Sequence, residues 1–218
     1  MKSDSQIQAD VIQELKWDPS VAHEHIGITV ANGIVTLSGS IPSYFEKSAA
    51  EKAAQRVSGV KAIVEKIDVK LLSSYEKDDQ DIAEAILNQF TWSVQVPETL
   101  IKVSVENGWV KLTGEVEWDY QRKAAENSVR GLTGVKGLSN SLTLKSREVQ
   151  ANVVKQKIED ALKREAMREA KQITVDIHGS TVTLSGEVHS FAEMSDAKLA
   201  AWSAPGVTKI ENKLHIGY

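Results

Sequence analysis

Apolar positions along the chain follow two periods in turn, and the switch between them occurs three times. Ile7, Val11, Ile12 and Leu15 fall at i, i+4, i+5 and i+8, one face of a helix. Ile82, Ile86, Leu87 and Phe90 repeat this spacing, and Val154, Ile158, Ala161 and Leu162 carry a helical stripe again. Strict alternation follows in the first copy: Ile26, Ile28 and Val30, then Asn32-Gly33, then Val35 and Leu37. Asn-Gly between two alternating runs predicts a hairpin, because a type I′ turn needs positive φ at both central residues. Asn107-Gly108 stands in the same place in the second copy, whereas the third has His178-Gly179-Ser180, which predicts a different turn. A second helix follows each hairpin. Phe45, Ala49, Ala53 and Val57 mark it first, then Tyr120, Ala124, Ser128 and Leu132, then Phe191, Met194, Ala197, Ala201 and Ala204.

Three landmarks fix the repeat. Val35-Thr36-Leu37-Ser38-Gly39 returns as Val110-Lys111-Leu112-Thr113-Gly114 and as Val182-Thr183-Leu184-Ser185-Gly186. A Gly-Val pair follows each, at Gly59, Gly134 and Gly206, expected as the helix stop where left-handed geometry costs least. Each copy closes on an apolar triplet: Ile63, Ile67, Val69; Leu138, Leu142, Leu144; Ile210, Leu214, Ile216. Gly39 to Gly114 and Gly59 to Gly134 are both 75 residues, and the next pair of offsets is 72 in each case. The closing strand is reached by a helical crossover, which predicts parallel pairing with the strand before it. The chain therefore reads as α+β: three α-β-β-α-β units over 4–70, 78–145 and 150–217, each with two helices on one face of a small three-stranded mixed sheet. Units this small sit near the lower limit for a self-sufficient core, so packing between units or homo-oligomerisation is expected to add stability.

A unit of this order, with V-x-L-[ST]-G, a later Gly-Val and a final apolar triplet, resembles the BON domain. The family often has Asn in the last strand; Asn140 and Asn212 match, and Glu65 departs. The resemblance implies a module without catalysis or cofactor, linked to the bacterial envelope and osmotic stress. It also implies contact with an anionic phospholipid surface or with envelope proteins. A protein-interaction or chaperone-like scaffold assembling through open sheet faces is the alternative.

Composition narrows the classes. Of the 218 residues 41% are apolar and 26% charged, as in ordinary soluble domains. Lys and Arg number 26 against 30 Asp and Glu, a net charge of −4 that argues against nucleic acid as partner. Without cysteine there are no disulfides, thiolate metal sites or cysteine nucleophiles. Residues 1–19 are polar and acidic and lack the apolar stretch of an export signal, which predicts a cytoplasmic chain as written. A periplasmic location is the alternative if the chain is a mature or re-started form.

Candidate chemistry is sparse. Ser38, Thr113 and Ser185 recur but lack a G-x-S-x-G turn or an evident base, so they are expected to be strand residues and no catalytic residue is assigned. His23-Glu24-His25 falls short of the three or four ligands of a metal site, so no metal is expected there. Trp17 and Trp92 are equivalent by the 75-residue offset and are expected to cap the core at the end of the first helix. Trp109 and its counterpart Ile34 alternate onto the sheet face away from the helices and are expected to be buried against a sister unit or second chain. Two groups are the candidate lipid or partner contacts. One is Trp118, Tyr120, Arg122 and Lys123; the other is Lys163, Arg164 and Arg168, part of a basic stretch with interleaved acids. Residues 71–144 hold seven basic side chains against eleven acidic ones, which works against an anionic membrane there.

Overall fold

The structure, a computed structural model, describes residues 2–71, 77–145, 151–164 and 173–217, the side chains of 162–164 excepted. The first repeat runs α1 (Asp4–Trp17), β1 (Ile26–Ala31), β2 (Ile34–Ile41), α2 (Tyr44–Arg56) and β3 (Ala62–Val69). The second runs α3 (Asp79–Trp92), β4 (Ile101–Glu106), β5 (Trp109–Val116), α4 (Asp119–Arg130) and β6 (Gly137–Leu144). The third runs α5 (Ala151–Arg164), β7 (Ile173–His178), β8 (Thr181–Val188), α6 (Phe191–Trp202) and β9 (Lys209–Ile216). Each repeat forms a three-stranded sheet with the second strand in the middle. In the first and third, the first two strands pair antiparallel and the last two parallel, as the crossover requires. By compactness the chain divides into Lys2–Thr143, which holds the first two repeats, and Leu144–Tyr218, which holds the third.

Local sequence accounts for the element ends. Ser3 caps α1: its hydroxyl accepts the Gln6 N–H, and the Gln6 side-chain oxygen accepts the Ser3 N–H at 2.8 Å. Asp78, Ser43 and Ser190 cap α3, α2 and α6 by the first of these bonds alone, accepting the N–H of Asp81, Glu46 and Glu193. The first two hairpins turn with Asn32 (φ 53), Gly33 (φ 77), Asn107 (φ 52) and Gly108 (φ 79), the I′ pattern expected of Asn-Gly. In the third, only Gly179 has positive φ (60), the II′ pattern, so the different sequence does give a different turn.

The core of the first repeat lies between the helices and the inner sheet face, where Val11, Leu15, Val35, Leu37, Ala50, Ala53 and Ala54 are fully buried. Alanines on α2 let it lie close to the sheet. The buried stripe keeps Ala53 and Val57 as expected but takes Ala50 and Ala54 rather than Ala49, and Phe45 and its counterpart Tyr120 stand half exposed. Small residues at 50, 53 and 54 pack closer to the strands than a stripe led by Phe45 would allow.

The strand glycines are a steric requirement. Gly39 and Gly114 have φ of 134° and 138°, and a Cβ there would sit 2.0 Å from the His25 carbonyl oxygen and 2.1 Å from that of Leu100. The short 3-10 turns His23–His25 and Glu98–Leu100 thus approach the middle strand at a point where no side chain fits. Gly186 shares the conformation, at φ 126. Gly59, Gly134 and Gly206 do not stop the second helix as expected. The helices end earlier, at Arg56, Arg130 and Trp202, and the glycines (φ 98, 94 and 80) shape the turn that follows. That turn passes against the first helix: a Cβ at Gly59 would lie 3.1 Å from Ile7, and one at Gly134 2.9 Å from Ile82.

Candidate interaction surface

Trp17 and Trp92 end α1 and α3, and both project into solvent, 88% and 85% exposed. The expectation that they cap the core is therefore overturned. Leu15 and Phe90, two residues earlier, take the core positions. At about 100° per residue a side chain two positions on points to the opposite side of the helix. The same wheel was available in the sequence, where Ile7, Val11 and Leu15 define the buried face and Trp17 falls off it. Close to Trp92 in the chain, Val94 is fully exposed, and Leu87 and Leu100 are about half exposed. The counterparts around Trp17 are Pro19, Ile12 and His25, a more polar setting that also includes Lys16.

Trp109 and Ile34 lie on the open sheet face, as their alternation predicts, and among the described residues they are 58% and 41% exposed. Trp109 is accommodated within its own repeat. Its six-membered ring would come 2.3 Å from a Cβ at Gly137 on the adjacent strand, so the indole lies across a position kept free by glycine. In the other repeats the corresponding pairs are Ile34 with Ala62 and Thr181 with Lys209.

The aromatic–basic group at the start of α4 is brought together around an acid. Asp119, only 4% exposed, pairs with Arg122 and, at 2.9 Å, with Lys123. Both cations are thus engaged in holding a buried carboxylate, with Tyr120 exposed and Trp118 partly buried beside them. Lys163 and Arg164 end α5, and their side chains lie outside the described residues, as does Arg168 altogether.

The recurring Ser and Thr are strand residues: Ser38 donates to the Gly27 carbonyl across the strand at 3.4 Å. His23 stands 3.8 Å from Glu24, and among the described residues no group of three or more His, Asp or Glu is placed to hold a metal ion. No helix among them is long and apolar enough to cross a membrane.

A feature missed in the sequence is how the last strand engages the second helix. Asn140 accepts the Leu142 N–H at 3.2 Å and donates to the Arg122 carbonyl at 3.1 Å; Asn212 accepts the Leu214 N–H in the same way. Glu65 does the accepting in the first repeat, taking the Ile67 N–H at 2.6 Å, and its other oxygen pairs with Lys47 at 2.7 Å. The Lys47 ammonium also donates to the Ile67 carbonyl. A carboxylate cannot donate as an amide does, so Lys47 supplies the missing protons. Positions 47, 122 and 194 are equivalent, so the departure at Glu65 comes with its own compensating residue.

Comparison with known proteins agrees with this architecture. The BON domain family model matches residues 3–70, 78–146 and 150–218. The chain belongs to the BON-domain family and carries three tandem copies of the domain. Osmotically-inducible protein Y of Escherichia coli (strain K12) is 29% identical over 147 residues, spanning 65% of this chain and 73% of that protein. Among solved structures, CdsD, a structural protein of the type III secretion system of Chlamydia trachomatis, aligns over 96% of this chain and 91% of its own at 12% identity, with a TM-score of 0.27. Its C-terminal domain aligns over the whole of both chains at the same identity and score. At that score the likeness carries no argument about arrangement or function.

Proposed function

We propose that this chain is a non-catalytic binding protein of envelope and osmotic-stress homeostasis, and that it meets a phospholipid surface through Trp17 and Trp92. Membership of the BON family and the similarity to osmotically-inducible protein Y support the physiological setting. The observation that carries the contact is the paired exposure of the two tryptophans, at the same helix end in two repeats, where neither helps to build a core. Tryptophan suits the boundary between headgroup and acyl chain, with an apolar ring and one N–H donor. Charge contributes little: the chain is net negative, and the cations at the start of α4 are engaged with Asp119. Binding by aromatic insertion is accordingly expected to depend weakly on salt and on lipid charge.

Co-sedimentation with neutral and anionic vesicles, at low and physiological salt, tests this reading. The wild-type chain is expected to bind both, with Trp17→Ser/Trp92→Ser reducing binding to background. Unchanged binding by the double variant, or no binding by the wild type, would refute it. The second reading, a protein scaffold, draws on the open face of the first repeat, where Ile34 and Val64 are exposed on neighbouring strands. Loss of self-association or of protein capture in Ile34→Lys, with vesicle binding absent, would favour it.

A further inference from the structure

Within Lys2–Thr143 a cleft of about 370 Å³ opens between the second helices of the first two repeats. From α1 and α2 it is lined by Asp18, Phe45, Ser48, Ala49, Lys52 and Arg56; from α4 and its C-terminal cap, by Asn127, Arg130 and Gly131. Three of these side chains are cationic and one is acidic. Asp18 is committed to the Ser20 hydroxyl at 2.6 Å and to Arg56 at 3.4 Å, and Arg56 also bonds Glu14 at 2.7 Å. Arg56 is thus offset by two carboxylates. Arg130 pairs with Glu126 and donates to the Asn127 side-chain oxygen at 3.2 Å, which orients the Asn127 amide donors away from that bond. Its Nε is buried without a hydrogen-bond partner among the described residues, whereas buried donors in proteins are nearly always satisfied. Lys52 forms no ion pair or hydrogen bond with the described residues, and burial together with Arg130 lowers its pKa from the usual lysine value, despite opposing help from Glu126 and Glu51.

We infer that this cleft binds a phosphate-bearing ligand, its phosphate held among Lys52, Ser48, Asn127 and Arg130 and its ester body lying against Phe45 and Ala49. Donors reaching a single space from two helices suit a tetrahedral anion with several acceptor oxygens, whereas a planar carboxylate is satisfied by one guanidinium fork. The volume falls within the usual range for small-ligand sites and leaves room beyond a bare phosphate. The inference stands apart from the role given to Trp17 and Trp92.

Amide NMR of the full chain titrated with glycerol 3-phosphate, against sodium chloride at equal ionic strength, tests it. Saturable shifts are expected at Ser48, Lys52, Asn127 and Gly131, and Lys52→Gln is expected to weaken binding about tenfold, the scale of one lost hydrogen bond to a charged group. Lys102→Gln, which removes an exposed cation on the sheet face of the second repeat, is the control and is expected to have no effect. Flotation of phosphatidylglycerol vesicles with the same variants separates the two sources of phosphate. A vesicle defect specific to Lys52→Gln assigns the site to a lipid headgroup, and ester binding with intact vesicle binding assigns it to a soluble phosphate ester. Shifts that are absent or fail to saturate, or an equal effect of Lys102→Gln, would overturn the inference.

Discussion

The carboxylate of Asp79, in the first turn of α3, accepts the backbone N–H of Gly108 at 2.8 Å, and its other oxygen accepts that of Asn107 at 2.7 Å. Asp4 holds Asn32 and Gly33 in the same way, at 2.7 and 2.9 Å. One side chain thus ties the start of the first helix to the hairpin turn, where a type I′ turn leaves two amides pointing outward. The third repeat has Ala151 at this position and Gly179-Ser180 in the turn. The clamp and the turn it serves are absent together. Asp79→Ala is expected to cost about 1–2 kcal/mol, the scale of hydrogen bonds to a charged acceptor, and to abolish hydrogen-exchange protection of the Gly108 amide. Retained protection would show that the clamp contributes nothing.

Gly39→Ala and Gly114→Ala are each expected to destabilise their repeat by about 3 kcal/mol or more, combining a backbone conformation disfavoured for side chains with a Cβ placed on a carbonyl oxygen. Gly131 is the internal control. It follows α4 at φ −93, with nothing within 4 Å of an added Cβ, so Gly131→Ala is expected to be neutral or to stabilise by under about 1 kcal/mol. Denaturant unfolding of the three variants checks both statements, and equal effects at Gly39 and Gly131 would contradict them.

The repeat, its element order and its turns were legible because they depend on backbone chemistry that few residues can supply. Asn32-Gly33 admits positive φ, and Gly39 permits a carbonyl approach that any side chain blocks. The surface was less legible. Trp17 and Trp92 were expected in the core because large aromatics are usually buried, although helical phase already placed them opposite Leu15 and Phe90. For Trp109 the phase was right, but its seat on Gly137 depends on a residue far along the chain, which alternation within one strand does not reveal. The inter-repeat cleft depends on how two repeats pack, and no motif within either one encodes that.

The Lys47–Glu65 pair replaces an Asn in the other repeats, so its two members are expected to be coupled. Lys47→Met and Glu65→Asn singly should each destabilise the first repeat. The double variant, which installs the third repeat's combination of Met194 and Asn212, should recover most of the loss. A double-mutant cycle is expected to give a coupling of about 1–2 kcal/mol, and strict additivity would contradict the exchange of roles.

Asp18 supplies a pH test. The Ser20 hydroxyl is the main group holding its carboxyl below the usual 3.8, with the Ser20 N–H and Arg56 assisting against the opposing effect of burial. A depressed folded value means that the stabilisation is present above the ordinary carboxylate range and is lost as pH falls through the lowered value. Carboxyl NMR titration should therefore place the Asp18 midpoint below 3.8 in the wild type and higher in Ser20→Ala. An unchanged midpoint would remove Ser20 as the cause.

The contact with a phospholipid surface is tested most directly by tryptophan fluorescence in a chain that keeps only Trp17 and Trp92, with Trp109→Phe, Trp118→Phe and Trp202→Phe. On adding phosphatidylcholine vesicles whose acyl chains carry bromine, the emission is expected to shift to the blue and to be quenched, because both rings leave water for the headgroup boundary. Emission that stays red-shifted and unquenched at saturating vesicle concentration would show that the exposed tryptophans do not meet lipid.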